Sequence, residues 1–164
     1  MAEQGFSGDQ ETKLDGKGRT SIPAAFRAQL KSRDLNSFYA YPSRHEAGVL
    51  ECCDINQMNN MKTAMNRLSP LSATRRNLEL AIFSRAHEIV FDGDGRTVIP
   101  KALRNAAGLE EGPIYFRGRA QTFEIWSSKV FEASQDVVPV LSDEDLAAFD
   151  DVWQGAMGTG GQAI

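Results

Sequence analysis

The stretch FSGDQETKLDGKGRTSIPAAFR, residues 6–27, occurs a second time in this 164-residue chain. The second copy is FSRAHEIVFDGDGRTVIPKALR, residues 83–104, and 12 of the 22 aligned residues are identical at a constant offset of 77. Beyond these stretches the similarity continues as a pattern at an offset of 73, so a loop in the second copy is about four residues shorter. An internal repeat of this kind organises the rest of the chain.

Both copies contain the segment Asp-Gly-x-Gly-Arg, which predicts a tight turn. Glycine permits a positive φ, and an aspartate side chain can accept hydrogen bonds from backbone amides two residues ahead. The predicted turn-forming residues are Asp15, Gly16, Gly18, Asp92, Gly93 and Gly95. The segment Thr-x-Ile-Pro that follows favours a short strand and then a helix, since proline fits the first helical position.

The rest of each copy predicts one short helix and two strands. Helices are expected over 24–30 and 101–107, the second of which ends at Gly108. The expected strands are 37–41, 49–53, 113–116 and 122–126. A unit of about 45 residues is too small for a good independent core, so we expect the two copies to pack on each other as a pseudo-symmetric pair. The predicted fold class is mainly β with short helices (α+β), built from two βαββ repeats.

Further helices are predicted between and after the two copies. A helix over Asp54–Arg67 has an apolar stripe that is more typical of a core than of a ligand groove. The stripe consists of Met58, Met61, Met65 and Leu68. A second helix begins over Ala73–Ala81. Near the C-terminus, residues 142–145 resemble a capping box and predict a short docking helix, followed by a flexible Gly-rich end over Gly155–Ile164.

The charge of the chain is divided unevenly. Taken whole, 18 Lys and Arg against 22 Asp and Glu give a net charge of -4, which argues against a nucleic-acid-binding protein. Residues 130–164, however, hold seven of the acids and no base, so residues 1–129 carry 18 bases and 15 acids, a net charge of +3. The predicted domains are 7–54, a helical insert over 55–82, 83–129, and an acidic extension over 130–164.

Catalytic, metal-binding and membrane functions find little support. The Gly-rich segment lacks the GxxxxGK[ST] order of a P-loop. Asp92–Arg96 begins like a calcium loop, but Arg96 and Leu103 occupy the fifth and twelfth positions, where oxygen ligands are needed. The adjacent Cys52 and Cys53 fit small apolar residues of a reduced protein better than a vicinal disulfide or a metal site. We expect no enzyme, cofactor, metal site or small-molecule substrate, and neither a membrane span nor a secretory signal.

The feature that both copies share is a cation at a tight turn. Arg19 and Arg96 follow the Gly-rich bend, and arginine can grip a phosphate or the edge of guanine with two hydrogen bonds. The alternative is that each arginine pairs with the aspartate of its own turn and holds that turn. Residues 10–33 favour the first interpretation, because they hold six bases against two acids. The candidate DNA-binding residues are Lys13, Lys17, Arg19, Arg27, Arg96 and Arg104.

The doubled motif Asp-x-x-Gly-Arg-x-x-Ile-Pro-x-x-hydrophobic-Arg, with its helical insert, resembles the MraZ family of bacterial transcriptional regulators. The resemblance covers roughly residues 5–130. It implies two SpoVT–AbrB-type swapped-hairpin repeats that form a barrel. It also implies a cytoplasmic, nucleoid-associated regulator of the division and cell-wall gene cluster, usually a repressor, that binds repeated boxes of double-stranded promoter DNA as a ring-shaped homo-oligomer. The family's DNA-contacting turn falls on Asp15–Arg19 and Asp92–Arg96.

Two features depart from that pattern. The second turn has Asp94 where the first has Lys17, so we expect it to attract DNA less strongly. The acidic extension lies outside the repeat, and we expect it to screen the body from non-specific DNA. Two alternatives remain: an AbrB-like antitoxin whose tail neutralises a partner, and a structural scaffold ring that does not bind DNA.

Overall fold

Eight short strands lie within the part of the chain that the structure describes. The first four are β1 (Asp9–Leu14), β2 (Arg19–Ser21), β3 (Ser37–Pro42) and β4 (Val49–Cys53). The other four are β5 (His87–Val90), β6 (Arg96–Val98), β7 (Gly112–Arg119) and β8 (Thr122–Ser127). These bounds come from a computed structural model, which describes residues 5–134 and 139–162. The predicted strands are therefore confirmed, and the largest difference is that β7 extends three residues farther at its end.

Short helices connect and cover these strands. They are α1 (Ala24–Lys31), α2 (Ile55–Met65), α3 (Ala73–Ala81), α4 (Lys101–Ala107), α5 (Ser128–Ser134) and α6 (Asp143–Gln162), with a 3₁₀ turn over Phe83–Arg85. The chain forms two compact units that divide between Glu132 and Ala133. The first unit has a mixed α+β fold with an antiparallel sheet, and the second contains α6. The four predicted domain limits stay a prediction.

The main sheet interleaves strands from the two copies. Its order is β1-β7-β8-β4-β3-β5, and every neighbouring pair is antiparallel. The first strand of each copy pairs with the third strand of the other copy, since β1 lies beside β7 and β5 lies beside β3. The strands β2 and β6 pair only with each other, as a separate two-stranded ribbon. Neither copy alone therefore contains the partners that its own strands need.

Aromatic side chains from both copies meet in the main core. Phe123 is fully buried on β8, and its ring centroid lies 4.8 Å from Phe6, 5.3 Å from Phe26 and 5.0 Å from Phe38. The Phe116 ring stacks on it at 6.1 Å. Edge-to-face and offset geometries of this kind add to the hydrophobic free energy of burial. The core is therefore shared between the two copies, as their small size requires.

The residues that the sequence predicts at the ends of the helices are found there. Pro23 and Pro100 cap α1 and α4, and Gly108 ends α4 in the left-handed conformation at φ 62. The Asp54 carboxylate caps α2 by accepting a hydrogen bond from the Gln57 amide at 2.8 Å.

A smaller apolar cluster holds the insert against the sheet. Met58 and Met65 of α2 are buried there with Cys53, so the core interpretation of these methionines is confirmed. Cys52 is buried in the main core, on the other face of its strand, and both thiols are free. Burial raises the pKa of the Cys53 thiol to about 12 and that of Cys52 well above its usual value, so neither forms a thiolate at neutral pH.

The C-terminal helix corrects the prediction of a short helix with a flexible end. The 20 residues of α6 run from Asp143 through Gly155 and Gly158 to Gln162. Its start is a capping box, since Ser142 and Asp145 exchange two hydrogen bonds of 3.0 Å. A capped, acidic first turn favours the helix, and each glycine costs only about 1 kcal/mol relative to alanine. Ala163 and Ile164 lie outside the described residues.

The shared aromatic core predicts that Phe123→Ala destabilises the whole first unit. We expect the free energy of unfolding to fall by about 3–5 kcal/mol, because the substitution leaves a cavity between side chains of both copies. Leu71→Ala is the control, since Leu71 is 96% exposed and its truncation should cost no more than about 0.5 kcal/mol. Denaturant unfolding measures both values, and similar losses in the two variants would contradict the shared core.

Candidate nucleic-acid interface

The ribbon of β2 and β6 brings the two repeated arginines onto one surface. In its register Arg19 lies opposite Val98, and Ser21 lies opposite Arg96. Strand alternation turns the central pair, Thr20 and Thr97, inward, where both are buried. The other four residues are exposed and share the opposite side. We call this surface the ribbon face: Arg19, Ser21, Arg96 and Val98.

A tight turn precedes each ribbon strand. In the first turn, the Gly18 amide donates to the Asp15 carbonyl at 3.1 Å, and the Asp15 carboxylate accepts from the amides of Lys17 at 2.9 Å and Arg19 at 2.8 Å. Gly18 has φ +84. A side chain there would be strained by this φ and would also overlap the guanidinium of Arg104.

The second turn repeats this geometry. The Gly95 amide donates to the Asp92 carbonyl at 2.9 Å, and the Asp92 carboxylate accepts from the amides of Asp94 and Arg96, both at 2.9 Å. These amides lower the pKa of Asp92, chiefly through the Arg96 amide, and the Arg19 amide lowers the pKa of Asp15 in the same way. Both carboxylates are therefore charged at neutral pH.

Each arginine pairs with the aspartate of its own turn. Arg19 Nε lies 2.5 Å from Asp15, and Arg96 Nε lies 3.1 Å from Asp92. The turn-holding alternative thus describes real contacts. It does not remove the arginines from solvent, because the Arg19 and Arg96 side chains are 63% and 70% exposed. A bond through Nε leaves the outer edge of a guanidinium available for a second, bidentate partner.

The two arginines differ in one contact. Arg96 Nη2 also donates to the Asp94 carboxylate at 2.9 Å, so an outer nitrogen of this guanidinium already has an acidic partner. In the first turn the corresponding residue is Lys17, which is exposed. The second turn therefore offers less net positive charge to an anion than the first.

A groove of about 590 Å³ runs beside the ribbon. Its lining includes Lys13 together with Arg19 and Arg96, so three of the six candidate DNA-binding residues border one depression. Lys17 lies in the adjoining turn. Arg27 and Arg104 make contacts of another kind: Arg27 donates to the Asp94 carbonyl, and Arg104 Nε donates to the Ile99 carbonyl at 3.0 Å. Their contact with DNA stays a prediction.

Two members of the ribbon face are not among the site residues that the sequence predicts. Ser21 and Val98 each stand two residues after a turn arginine, and Val98 is 52% exposed although it is apolar. The period-two alternation of a strand carries this signal, since it places residues 19 and 21, and residues 96 and 98, on the same face. Applied to Arg-Thr-Ser and Arg-Thr-Val, it would have identified both residues.

Neither a metal-ligand group nor a membrane-spanning helix is found within residues 5–134 and 139–162. They contain no group of three or more His, Cys, Asp or Glu residues that could hold a metal ion. Within the same residues, none of the helices is long and apolar enough to cross a membrane.

Comparison with known proteins identifies the family. A protein of Rickettsia akari (strain Hartford) named "Transcriptional regulator MraZ" is 39% identical over 119 residues, which are 73% of this chain and 78% of the relative. A protein of the same name from Rickettsia africae (strain ESF-5) is 37% identical over 131 residues, 80% of this chain and 87% of the relative. The chain belongs to the MraZ family. The family model "MraZ protein, putative antitoxin-like" matches residues 82–148, which include the second copy.

The turns of this MraZ-family chain predict a pH dependence of stability. The folded-state pKa of Asp15 and of Asp92 lies below the unfolded value of about 3.9, so the unfolded chain binds more protons between those two values. Their contribution to stability is therefore complete above the unfolded pKa and is lost as pH falls through the folded pKa. In denaturant unfolding between pH 6 and pH 3, the Asp15→Asn/Asp92→Asn variant should lose less stability than the wild type. Asp143→Asn is the control, and parallel curves for all three proteins would contradict the assignment.

Proposed function

We propose that this chain regulates transcription by binding double-stranded promoter DNA through the ribbon face and its two turns. The observation that carries the proposal is the pairing of β2 with β6, which brings Arg19 and Arg96 of different copies together on one exposed surface. A two-stranded ribbon fits the major groove, where arginine recognises guanine and phosphate by paired hydrogen bonds. The names of the Rickettsia relatives support the same function.

The proposed roles differ among the residues of the ribbon face and the lysines beside it. Arg19 reads a base edge or grips a phosphate, and Lys13 and Lys17 neutralise phosphates beside it. Arg96 contributes less, because Asp94 competes for its Nη2. Val98, directly opposite Arg19, contacts the methyl group of a thymine, which is the apolar feature of the major groove. Where Arg19 reads a base edge, the proposed base readout is a guanine next to a thymine.

We further propose that the two copies are pseudo-symmetric SpoVT–AbrB-type repeats packed as a swapped-hairpin barrel. The pairing of β1 with β7 and of β5 with β3 supports this arrangement, since the first strand of each copy lies against the other copy. In this proposal the domains are 7–54 and 83–129, joined by the insert 55–82 and followed by the extension 130–164.

A single subunit is a weak DNA binder in this proposal. It carries few cations at the ribbon face and its turns, and affinity for DNA grows with the number of phosphates neutralised. A ring-shaped homo-oligomer over repeated promoter boxes engages several subunits at once, which raises the effective concentration of each remaining contact. Bound in this way at the division and cell-wall gene cluster, a cytoplasmic, nucleoid-associated ring would exclude polymerase and repress. The proposal requires no catalysis, cofactor or small-molecule substrate.

An antitoxin function is the second candidate. It is favoured by the antitoxin-like description of the family model and by the acidic α6, which exposes Phe149 and Trp153. It places the main activity in residues 130–164, whereas DNA regulation places it in the ribbon face. A scaffold ring, the third possibility, predicts no salt-dependent association with DNA. Deletion of the extension separates the first two functions, because only the antitoxin function should be lost.

The proposed function predicts unequal effects of the two arginines on promoter binding. In gel shifts on DNA upstream of the chain's own gene, Arg19→Ala should abolish binding, because one bidentate contact is worth about 1–3 kcal/mol and its loss is repeated in every subunit. Arg96→Ala should weaken binding less.

Two salt concentrations and size-exclusion chromatography complete this experiment. Wild-type binding should weaken as salt rises, and the oligomer should stay intact in both variants. Arg76→Ala is the matched control, since it removes an exposed arginine from α3. An unchanged shift with Arg19→Ala would reject the interface, and equal losses in the two turn variants would reject the asymmetry.

A further inference from the structure

Two cations of α1 contact the backbone of the second copy's turn. Arg27 Nη1 donates to the carbonyl oxygen of Asp94, and Lys31 Nζ donates to the carbonyl oxygen of Gly93 at 3.0 Å. These carbonyls belong to the middle of the turn, between Asp92 and Arg96, and lie more than 60 residues away along the chain. Hydrogen bonds from charged donors are among the stronger ones in proteins. The side chains of one copy thus hold the turn of the other.

The approach of Arg27 to this turn is close. A side chain at Gly95 would overlap Arg27 Nη1 and would lie 3.1 Å from the carbonyl of Ile22. The Gly95 carbonyl in turn accepts a hydrogen bond from the Ile22 amide at 2.8 Å. Ile22, directly after β2, and the side chains of α1 therefore fix the position of the second turn from two sides.

The first turn has only part of this support. Arg104 of α4, the counterpart of Arg27 in the repeat, lies against Gly18 and donates to the Ile99 carbonyl at 3.0 Å. The Ile99 amide donates to the Gly18 carbonyl at 2.8 Å. The counterpart of Lys31 at the offset of 77 is Gly108, which has no side chain to reach the turn.

The charges of turn and opposing helix compensate each other. The second turn has the acidic Asp94, and the helix against it supplies Lys31. The first turn has the basic Lys17, and α4 supplies the neutral Gly108. Asp92 and Asp94 repel each other, so the cations of α1 add to the stabilisation that Arg96 already gives by pairing with both carboxylates.

We propose that Arg27 and Lys31 are positioning residues, which hold the second turn so that Arg96 faces DNA and which neutralise no phosphate themselves. This proposal rests on the proposed DNA-binding function and replaces the direct contact that the sequence suggested for Arg27. We call the hydrogen bonds from Arg27 and Lys31 to the second turn the brace. They are present in the protein without DNA, so they can be tested by a measurement that does not depend on DNA binding.

Hydrogen exchange on the full-length, DNA-free protein tests the brace. In Lys31→Ala, and separately in Arg27→Gln, the amides of Gly95 and Arg96 should exchange about tenfold faster, because a hydrogen bond from a charged group to the turn is lost. The amides of Gly18 and Arg19 should not change. Arg104→Gln is the matched control: Arg104 donates to the Ile99 carbonyl and not to the second turn, so this variant should leave exchange at Gly95 and Arg96 unchanged. Unchanged exchange at Gly95 and Arg96 in both α1 variants would overturn the proposal.

The salt dependence of promoter binding separates positioning from direct contact. Both α1 variants should bind promoter DNA more weakly with an unchanged slope of log affinity against log salt, whereas Lys17→Ala should flatten that slope by about 0.9 for each subunit that contacts DNA. A flattened slope in Arg27→Gln would overturn the proposal by assigning a phosphate to Arg27. If the wild type binds no DNA, the proposed function fails, and the exchange rates still decide whether the brace exists.

Discussion

The antiparallel pairing of β2 with β6 is the interaction on which the candidate interface depends. It joins only three residue pairs, and an isolated ribbon of this size is marginally stable in water. Two hydrogen bonds of 2.8 Å extend it at both ends, from the Ile22 amide to Gly95 and from the Ile99 amide to Gly18. Both isoleucines are buried in the main core. The ribbon face is therefore held in place by the same side chains that stabilise the fold.

This coupling follows from the strand order of the main sheet. Because β1 pairs with β7 and β5 with β3, the two copies complete each other's sheet, and the aromatic core around Phe123 draws on both. The two turns are consequently fixed relative to each other, which a pair of independent domains would not ensure. The two copies nevertheless differ in charge: Asp94 stands where the first turn has Lys17, and Gly108 follows α4 at the position that corresponds to Lys31. Similar geometry with unequal charge is the basis of the asymmetry that we propose for DNA binding.

The sequence predicted the local structure well and the partners of each element poorly. Turns, proline-started helices and the Asp54 cap depend on neighbouring residues, so their positions could be derived from the repeat. The pairing of β2 with β6 joins residues that are 75 to 79 positions apart, and the residue pattern of a strand does not indicate which other strand it pairs with. For the same reason the contact of Arg27 with the Asp94 carbonyl could not be predicted from the repeat. The length of α6 was underestimated because glycine disfavours helices only weakly.

The most direct test is to place a DNA-cleaving iron chelate on the ribbon face. The native Cys52 and Cys53 are each only 1% exposed, so the chelate attaches at an introduced cysteine. From Val98→Cys we predict strand cleavage confined to the promoter sequence that the protein binds. From Leu71→Cys on the insert, which is 96% exposed against 52% for Val98, we predict none at that sequence. Equal cleavage from both positions, or none from Val98→Cys in protein that still binds promoter DNA, would contradict the claim that the ribbon face meets DNA.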